Sequence, residues 1–306
     1  MKYAIEKATV WVKAARLRTL PLAVAVSAAG NYVASYSPHF QWSIAVMSVA
    51  TTLLLQILSN YANDLGDSIH GADHAERNGP KRAVQSGELS QTQMKNAVKL
   101  VAGMSLVTGC ILIWMSFHEN WEKISPIFGI GLASIAAAYL YTNGSKPYGY
   151  QALGDISVFI FFGLVAVLGT RYLHTGSWNL EALLPSISMG CWSTAVLNIN
   201  NMRDIESDQI AGKETIPGIL GLGNTKMYHY SLISLGILTW IGFGFVESDF
   251  AFLGSIPGVV IMLKTCFGIA KSDTSEQLDQ YLKPQALGTF IAIFGTILLK
   301  IILLNF

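Results

Sequence analysis

The sequence has few charged side chains. Asp, Glu, Lys and Arg make up 13% of its 306 residues, whereas 52% are hydrophobic. A soluble globular domain carries about 25% charged residues, so this chain could not cover a soluble surface, and its apolar content excludes a disordered protein. The net charge of +1 gives no basis for a nucleic-acid partner. The composition therefore indicates a polytopic protein whose partner is the lipid bilayer.

The sequence also lacks cysteines at functional spacing and a segment typical of a signal peptide. The three cysteines, Cys110, Cys191 and Cys266, lie in apolar runs and have neither metal-ligand nor redox spacing, so we interpret them as small buried hydrophobic side chains. The N-terminal segment 1–17 lacks the short basic stretch and compact apolar core of a signal peptide. Its apolar and basic residues are interleaved, which predicts a retained helix lying on the membrane surface.

Nine apolar stretches have about the 20 residues that a membrane-spanning helix needs. They predict an all-α, multi-pass protein with a single domain over 1–306. The predicted spans are 19–38, 42–63, 96–117, 122–142, 153–174, 181–202, 228–247, 250–270 and 286–305.

The Lys and Arg residues predict the orientation of these spans. All except Lys123, Arg171 and Lys300 fall on the side that holds the N-terminus and the even-numbered connections. By the positive-inside rule this side is cytoplasmic. We therefore expect a protein of the cell inner (cytoplasmic) membrane with a cytoplasmic N-terminus.

Asn and Asp residues cluster at the predicted cytoplasmic ends of two spans. The first cluster, 60–67, closes the second span, and the second cluster, 200–208, closes the sixth. In each, Asn and Asp recur four residues apart, as Asn63 and Asp67 do, and so share a helix face. The helix dipole disfavours negative charge at a C-terminal end. Because sequences often break such local preferences at functional sites, we interpret the clusters as one site on the cytoplasmic side.

Carboxylate and amide oxygens are ligands that Mg²⁺ prefers, and this ion usually completes its coordination with water and phosphate oxygens. Two such helix ends facing one another predict a Mg²⁺ site that holds a diphosphate, and the apolar bundle would hold a hydrocarbon tail. An isoprenyl diphosphate has both parts. Nearby bases are candidate diphosphate ligands; these are Arg77, Arg82, Lys146 and Lys213.

Over nearly its whole length the chain resembles the UbiA-type intramembrane prenyltransferases. The resemblance rests on RTLPLAV (18–24), QILSNYANDLGDSIHGADHAERNGPKRAVQSG (56–87), KPYGYQALGDISVFIFFG (146–163) and NINNMRDIESDQIAGKET (198–215). Within these segments, GADHAERNGPKR and RDIESDQIAGK point to the naphthoate branch of the family. The resemblance implies nine helices ringed around a central cavity, capped by cytoplasmic loops over 64–95 and 203–227.

The resemblance also implies an activity. A polyprenyl group would pass from polyprenyl diphosphate to 1,4-dihydroxy-2-naphthoate with loss of diphosphate and CO₂, giving demethylmenaquinone. The residues implied to hold Mg²⁺ and the diphosphate are Asn63, Asp64, Asp67, Asn200, Asp204 and Asp208, with Lys146 on phosphate. By motif position the candidates for acceptor binding or for a catalytic base are Asp73, Arg77, Tyr148 and Asp155.

One difference from the family pattern limits which residue roles the resemblance implies for this chain. Other branches of the family have a third Asp four residues after the second, where this chain has Gly212 followed by Lys213. Three alternatives remain open at this point. They are a sister enzyme with another acceptor, such as 4-hydroxybenzoate or homogentisate, a hydrolase of lipid diphosphates, and a secondary transporter. A transporter usually places carboxylates near the bilayer midplane, whereas no predicted span has Asp or Glu in its middle.

Overall fold

The computed structural model describes residues 2–71 and 82–304, with side chains from residue 8 onward. Over these residues the secondary structure is helical apart from an isolated β-bridge between Gln151 and Glu214. The α-helices are α1 (Lys2–Ala14), α2 (Leu20–Ala34), α3 (Trp42–His70), α4 (Gln91–Phe117), α5 (Trp121–Leu140), α6 (Gly154–Thr175), α7 (Leu183–Arg203), α8 (Ile205–Ile210), α9 (Ile216–Val246), α10 (Ile256–Ala270) and α11 (Asp279–Leu304).

The predicted all-α membrane fold is confirmed, although nine spanning helices is close rather than correct. Within the described residues, eight helical segments are long and apolar enough to cross a membrane. The exception is α2, whose 15 residues span about 22 Å at 1.5 Å per residue, less than the roughly 30 Å hydrocarbon core. It is short because turns precede Leu20, including Arg16 with a φ of 53°, and the helix ends at Ala34.

Several helices extend beyond their predicted ends. Helix α3 continues to His70, where Gly71 with a φ of 75° caps it and donates its N–H to the carbonyl of Asp67. Helix α8 and the start of α9 occupy much of the segment predicted as the second loop, and Gly221, with a φ of 71°, interrupts α9. Hydropathy marks only the part of a helix inside the bilayer, so these polar or interrupted turns escaped prediction.

Helix α7 lies at the centre of the bundle. Of the residues in its apolar stretch 78% are buried, whereas in the apolar stretch of α5 only 6% are. Helix α7 packs against α2, α6, α9 and α11. Two glycine contacts permit this close approach. The backbone of Gly163 in α6 lies against Gly190 in α7, and the Trp192 indole of α7 lies against Gly236 of α9. The middle of α6, Phe159–Leu168, is wound as a π-helix.

The N-terminal segment is anchored to α3. The side-chain amide of Asn60 donates to the carbonyl of Ala15 at 2.8 Å and to the Thr19 hydroxyl at 3.2 Å. The Tyr61 hydroxyl donates to the carbonyl of Trp11 at 3.1 Å. The first member of the Asn/Asp cluster is therefore used to hold the chain that precedes α2.

Candidate active site

A long cavity runs through the bundle, polar at one end and apolar at the other. Its polar end, here called the mouth, lies where α3 and α7 end. The described side chains that line the mouth include Arg16, Asn63, Asp67, Arg82, Asn200, Asn201 and Lys213. At the opposite end the lining is apolar and includes Leu112, Ile113, Ile127 and Leu173. This shape can accept a molecule with a charged head and a hydrocarbon tail.

The end of α3 is held by the segment that begins at Arg82. The carboxylate of Asp64 accepts the backbone N–H groups of Ala83 at 3.2 Å and Val84 at 3.4 Å. Asp67 forms an ion pair with Arg82 and accepts the Tyr150 hydroxyl at 2.7 Å. These contacts satisfy both buried carboxylates, which would otherwise be costly to bury.

Arg82 lies within the electrostatic reach of both clusters. Burial lowers the pKa of this guanidinium, whereas the carboxylates of Asp64, Asp204 and Asp208 raise it. The two helix ends, far apart in the sequence, therefore meet at the cavity mouth.

The end of α7 is organised by Arg203, which is fully buried. Its Nε and Nη2 donate to the two carboxylate oxygens of Asp204 at 2.7 Å each, and Nη2 also donates to Asn200 Oδ1 at 2.9 Å. Its Nη1 pairs with Asp279 at the start of α11. A bidentate guanidinium–carboxylate pair fixes geometry as well as charge, so Arg203 holds the second cluster in place.

Asp208, on α8, pairs with Lys213, whose ammonium lies 3.2 Å from the carboxylate. Burial raises the pKa of this carboxyl group, and the charge of Lys213 lowers it. Lys213 also lies over the Tyr150 ring, 5.8 Å from its centroid. Tyr150 thus contacts Asp67 from the first cluster and Lys213 beside the second.

The predicted site residues fall into three groups. Those that line the cavity are Asn63, Asp67, Arg82, Tyr148, Asn200 and Lys213. Those that are buried but lie outside the described cavity lining are Asp64, Asp155, Asp204 and Asp208. Lys146 is exposed in the connection after α5. Asp73 and Arg77 lie outside the described residues.

The two predicted acceptor-binding residues differ in position. The Tyr148 hydroxyl donates to the carbonyl of Ala137 at 2.8 Å and lies 3.0 Å from the Ser157 hydroxyl, so the ring forms part of the cavity wall. Asp155 accepts the Tyr228 hydroxyl at 3.0 Å, in the contact region of α6 and α9 outside the described cavity lining.

Several residues of the site escaped sequence reasoning. The positive-inside pattern treats Arg203 only as one of many cytoplasmic bases, although it stands next to Asp204 in the segment 198–215. Tyr150 lies in the segment 146–163, and its aromatic character gives no sign that it contacts Asp67. Asp279 carried no signal, since it joins the site only through folding.

The donor set fits a Mg²⁺ ion that arrives with a diphosphate. In the described residues no three His, Cys, Asp or Glu side chains are placed to hold a metal by themselves. Mg²⁺ needs only one or two carboxylates when phosphate and water supply the other oxygens. Within the described part of the chain, the buried Asn201 Oδ1 lacks a hydrogen-bond partner, and Asn201 lines the cavity. An amide oxygen in this position is suited to a hard cation or its bound water.

We predict that Arg203→Met destabilises the protein by about 3–5 kcal/mol, because removing one partner leaves a buried carboxylate unpaired. Unfolding in detergent measures this loss. The matched control is Arg18→Met. Arg18 pairs with the same Asp279 at 3.2 Å, but its side chain is 28% exposed, so about 0–1 kcal/mol is expected. Equal losses in both variants would contradict the structural role given to Arg203.

Comparison with known proteins agrees with this architecture. The family model described as "UbiA prenyltransferase family" matches residues 23–294. The 1,4-dihydroxy-2-naphthoate octaprenyltransferase of Haemophilus influenzae is 43% identical over 240 residues, 78% of each chain. The enzyme of the same name from Escherichia coli K12 is 40% identical over 229 residues, 75% of this chain and 74% of that one.

Two solved structures share the fold at low sequence identity. A UbiA homolog from Aeropyrum pernix K1 superposes with a TM-score of 0.71 at 15% identity, covering 94% of this chain and 99% of that one. A UbiA homolog from Archaeoglobus fulgidus, bound to GPP and Mg²⁺, gives a TM-score of 0.68 at 16% identity, covering 95% and 99%. With its matching sequence, bundle and cavity, the chain belongs to the UbiA prenyltransferase family.

Proposed function

We propose that this protein transfers a polyprenyl group from polyprenyl diphosphate to 1,4-dihydroxy-2-naphthoate, with release of diphosphate and CO₂. The observation that carries the proposal is the cavity, which joins a mouth of carboxylates, amides and cations to an apolar interior. The names of the relatives from H. influenzae and E. coli support the choice of acceptor.

The residues at the mouth would bind the charged head of the donor. Arg82 and Lys213 line the cavity and would contact the diphosphate oxygens. Asn63, Asp67 and Asn200 also line it and would hold Mg²⁺ directly or through its water shell. Three further carboxylates, outside the cavity lining, would act indirectly. Asp64 would hold the backbone that follows Arg82, Asp204 would hold Arg203, and Asp208 would hold Lys213. When bound, Mg²⁺ withdraws electron density from the diphosphate and favours its departure.

The reaction is balanced with respect to atoms and electrons. The allylic C–O bond breaks and its electron pair leaves with the diphosphate. The ring carbon that bears the carboxylate then forms the new C–C bond, and CO₂ leaves its electron pair in the ring. No electrons are removed in these steps, so the product is the hydroquinone, demethylmenaquinol. A later two-electron oxidation converts it to demethylmenaquinone.

The acceptor reacts through electron density supplied by its two ring hydroxyls. A base that takes a hydroxyl proton would increase this density. Of the two candidate bases, Asp155 faces Tyr228 outside the described cavity lining. We therefore propose Asp73 as the base. The ring of Tyr148 would pack against the acceptor from the cavity wall, and Arg77 would bind its carboxylate.

This multi-pass membrane protein would lie in the cytoplasmic membrane with its N-terminus and cavity mouth on the cytoplasmic side. The distribution of Lys and Arg supports this orientation. A water-soluble acceptor would then approach the mouth from the cytoplasm while the polyprenyl tail remains among the helices.

Purified protein in detergent tests the acceptor directly. With Mg²⁺, a polyprenyl diphosphate and 1,4-dihydroxy-2-naphthoate, we expect prenylated product and an equal amount of CO₂, both abolished by EDTA. Prenylation of 4-hydroxybenzoate in place of the naphthoate would move the protein to another acceptor. Diphosphate release without any acceptor would identify a hydrolase.

Substitution tests the carboxylates that would hold the metal or the cations around the diphosphate. Asp67→Asn and Asp208→Asn should each lower kcat at least 100-fold, because an amide cannot supply the negative charge that balances the metal and nearby cations. The matched control is Asp273→Asn, which alters an exposed Asp in the connection before α11 and should retain the parent rate. Near-parent turnover in either cluster variant, with the folded state verified by its unfolding transition, would contradict these roles.

A further inference from the structure

The deep half of the cavity has a different wall from the mouth. Helices α2 and α7 line only the half near the mouth, whereas α4 contributes Gly109, Leu112 and Ile113 at the far end. There Leu112 and Ile113 belong to an apolar cluster with Ile44, Ile127 and Leu173. This cluster, here called the floor, lies at the end of the cavity away from the mouth.

The depth of the cavity follows from helix α3, which runs along it. Asn63 lines the mouth and Ser48 lines the cavity near the floor. The 15 residues between them correspond to about 22 Å at 1.5 Å per residue. An extended isoprene unit has four chain bonds of about 1.5 Å and covers roughly 5 Å. About four units therefore reach from Asn63 to the level of Ser48.

Two glycines stand in this deep half, each about one helical turn nearer the mouth than the floor. Gly109 precedes Leu112 on α4, and Gly131 follows Ile127 on α5; both line the cavity. Among the described residues, no heavy atom lies within 4 Å of a Cβ built at either position, apart from the helix itself and chain neighbours. Neither glycine is thus required by helix packing, and a larger side chain here would project into open space.

We propose that the face of α4 and α5 formed by Gly109 and Gly131 holds the distal isoprene units of the donor and sets the longest tail that the protein accepts. This inference rests on the proposed function, which it deepens. A tail of eight units, about 40 Å when extended, exceeds the depth of the cavity. Its distal units must therefore bend, and those that stay in the deep half lie beside these glycines.

By helical rise the glycines lie roughly 17–23 Å from Asn63, because they stand one turn of about 5.4 Å short of a floor that extends from the level of Ser48 to Ile44. A two-unit tail of about 10 Å ends before it reaches them, whereas a four-unit tail of about 20 Å reaches their level. Tail length thus separates the proposed role from a general effect on catalysis.

The test compares Gly109→Leu and Gly131→Leu with the parent on geranyl, geranylgeranyl and octaprenyl diphosphates. We expect kcat/KM with geranyl diphosphate to stay within twofold of the parent value. With the four-unit and eight-unit donors it should fall at least tenfold. Equal losses with all donors, or no loss with the longer ones, would overturn the proposal.

The chain offers a matched control on each helix. Gly103 on α4 and Gly129 on α5 also have open space at the Cβ position, but they are exposed and outside the described cavity lining. Gly103→Leu and Gly129→Leu make the same change in helix propensity and should leave all three donors unaffected. A selective loss of the longer donors in these controls would also overturn the proposal.

A binding measurement separates this inference from the acceptor assignment. With Mg²⁺ and no acceptor, thermal stabilisation by geranyl and by geranylgeranyl diphosphate reports donor binding alone. The two cavity variants should retain stabilisation by the shorter donor and lose most of that by the longer. If the parent binds both donors yet fails to prenylate the naphthoate, only the proposed function is contradicted.

Discussion

The pairing of buried carboxylates at the cavity mouth is the constraint on which the structure depends. Asp67, Asp204 and Asp208 each lie next to a cation, and an ionised carboxylate buried without a partner would be costly. The cations come from different parts of the chain: Arg82 follows α3, Arg203 ends α7 and Lys213 follows α8. Each pair lies within one cluster. The two clusters are linked by Arg82, which lies within the electrostatic reach of Asp204 and Asp208, and by Tyr150, which contacts Asp67 and Lys213.

These pairs also indicate how the site would exchange one set of partners for another. A diphosphate with Mg²⁺ brings both negative oxygens and positive charge to the mouth. Arg82 and Lys213, which line the mouth, would then contact phosphate, and Asp67 would face the metal. Arg203 is placed differently. It is held on both sides by Asp204 and Asp279, so it would remain a fixed support while its neighbours change partners.

The sequence was sufficient for the features that depend on local composition. Hydropathy predicted where the apolar helices lie, and the spacing of Asn63 with Asp67 placed the first Asn/Asp cluster at the end of a helix. It could not predict that the first predicted span holds a helix of only 15 residues, α2, because that depends on the turns around Arg16. Nor could it show that Asp155 faces Tyr228, since a contact between distant residues is fixed only by the packing of α6 against its neighbours.

The most direct test of the account is a structure of the protein with Mg²⁺ and a thiolo analogue of geranyl diphosphate, in which sulfur replaces the bridging oxygen. We expect the diphosphate at the mouth between the ends of α3 and α7, in contact with Arg82 and Lys213. The tail should point toward Leu112 and Ile127. A diphosphate bound elsewhere, or a tail directed away from the floor, would contradict it.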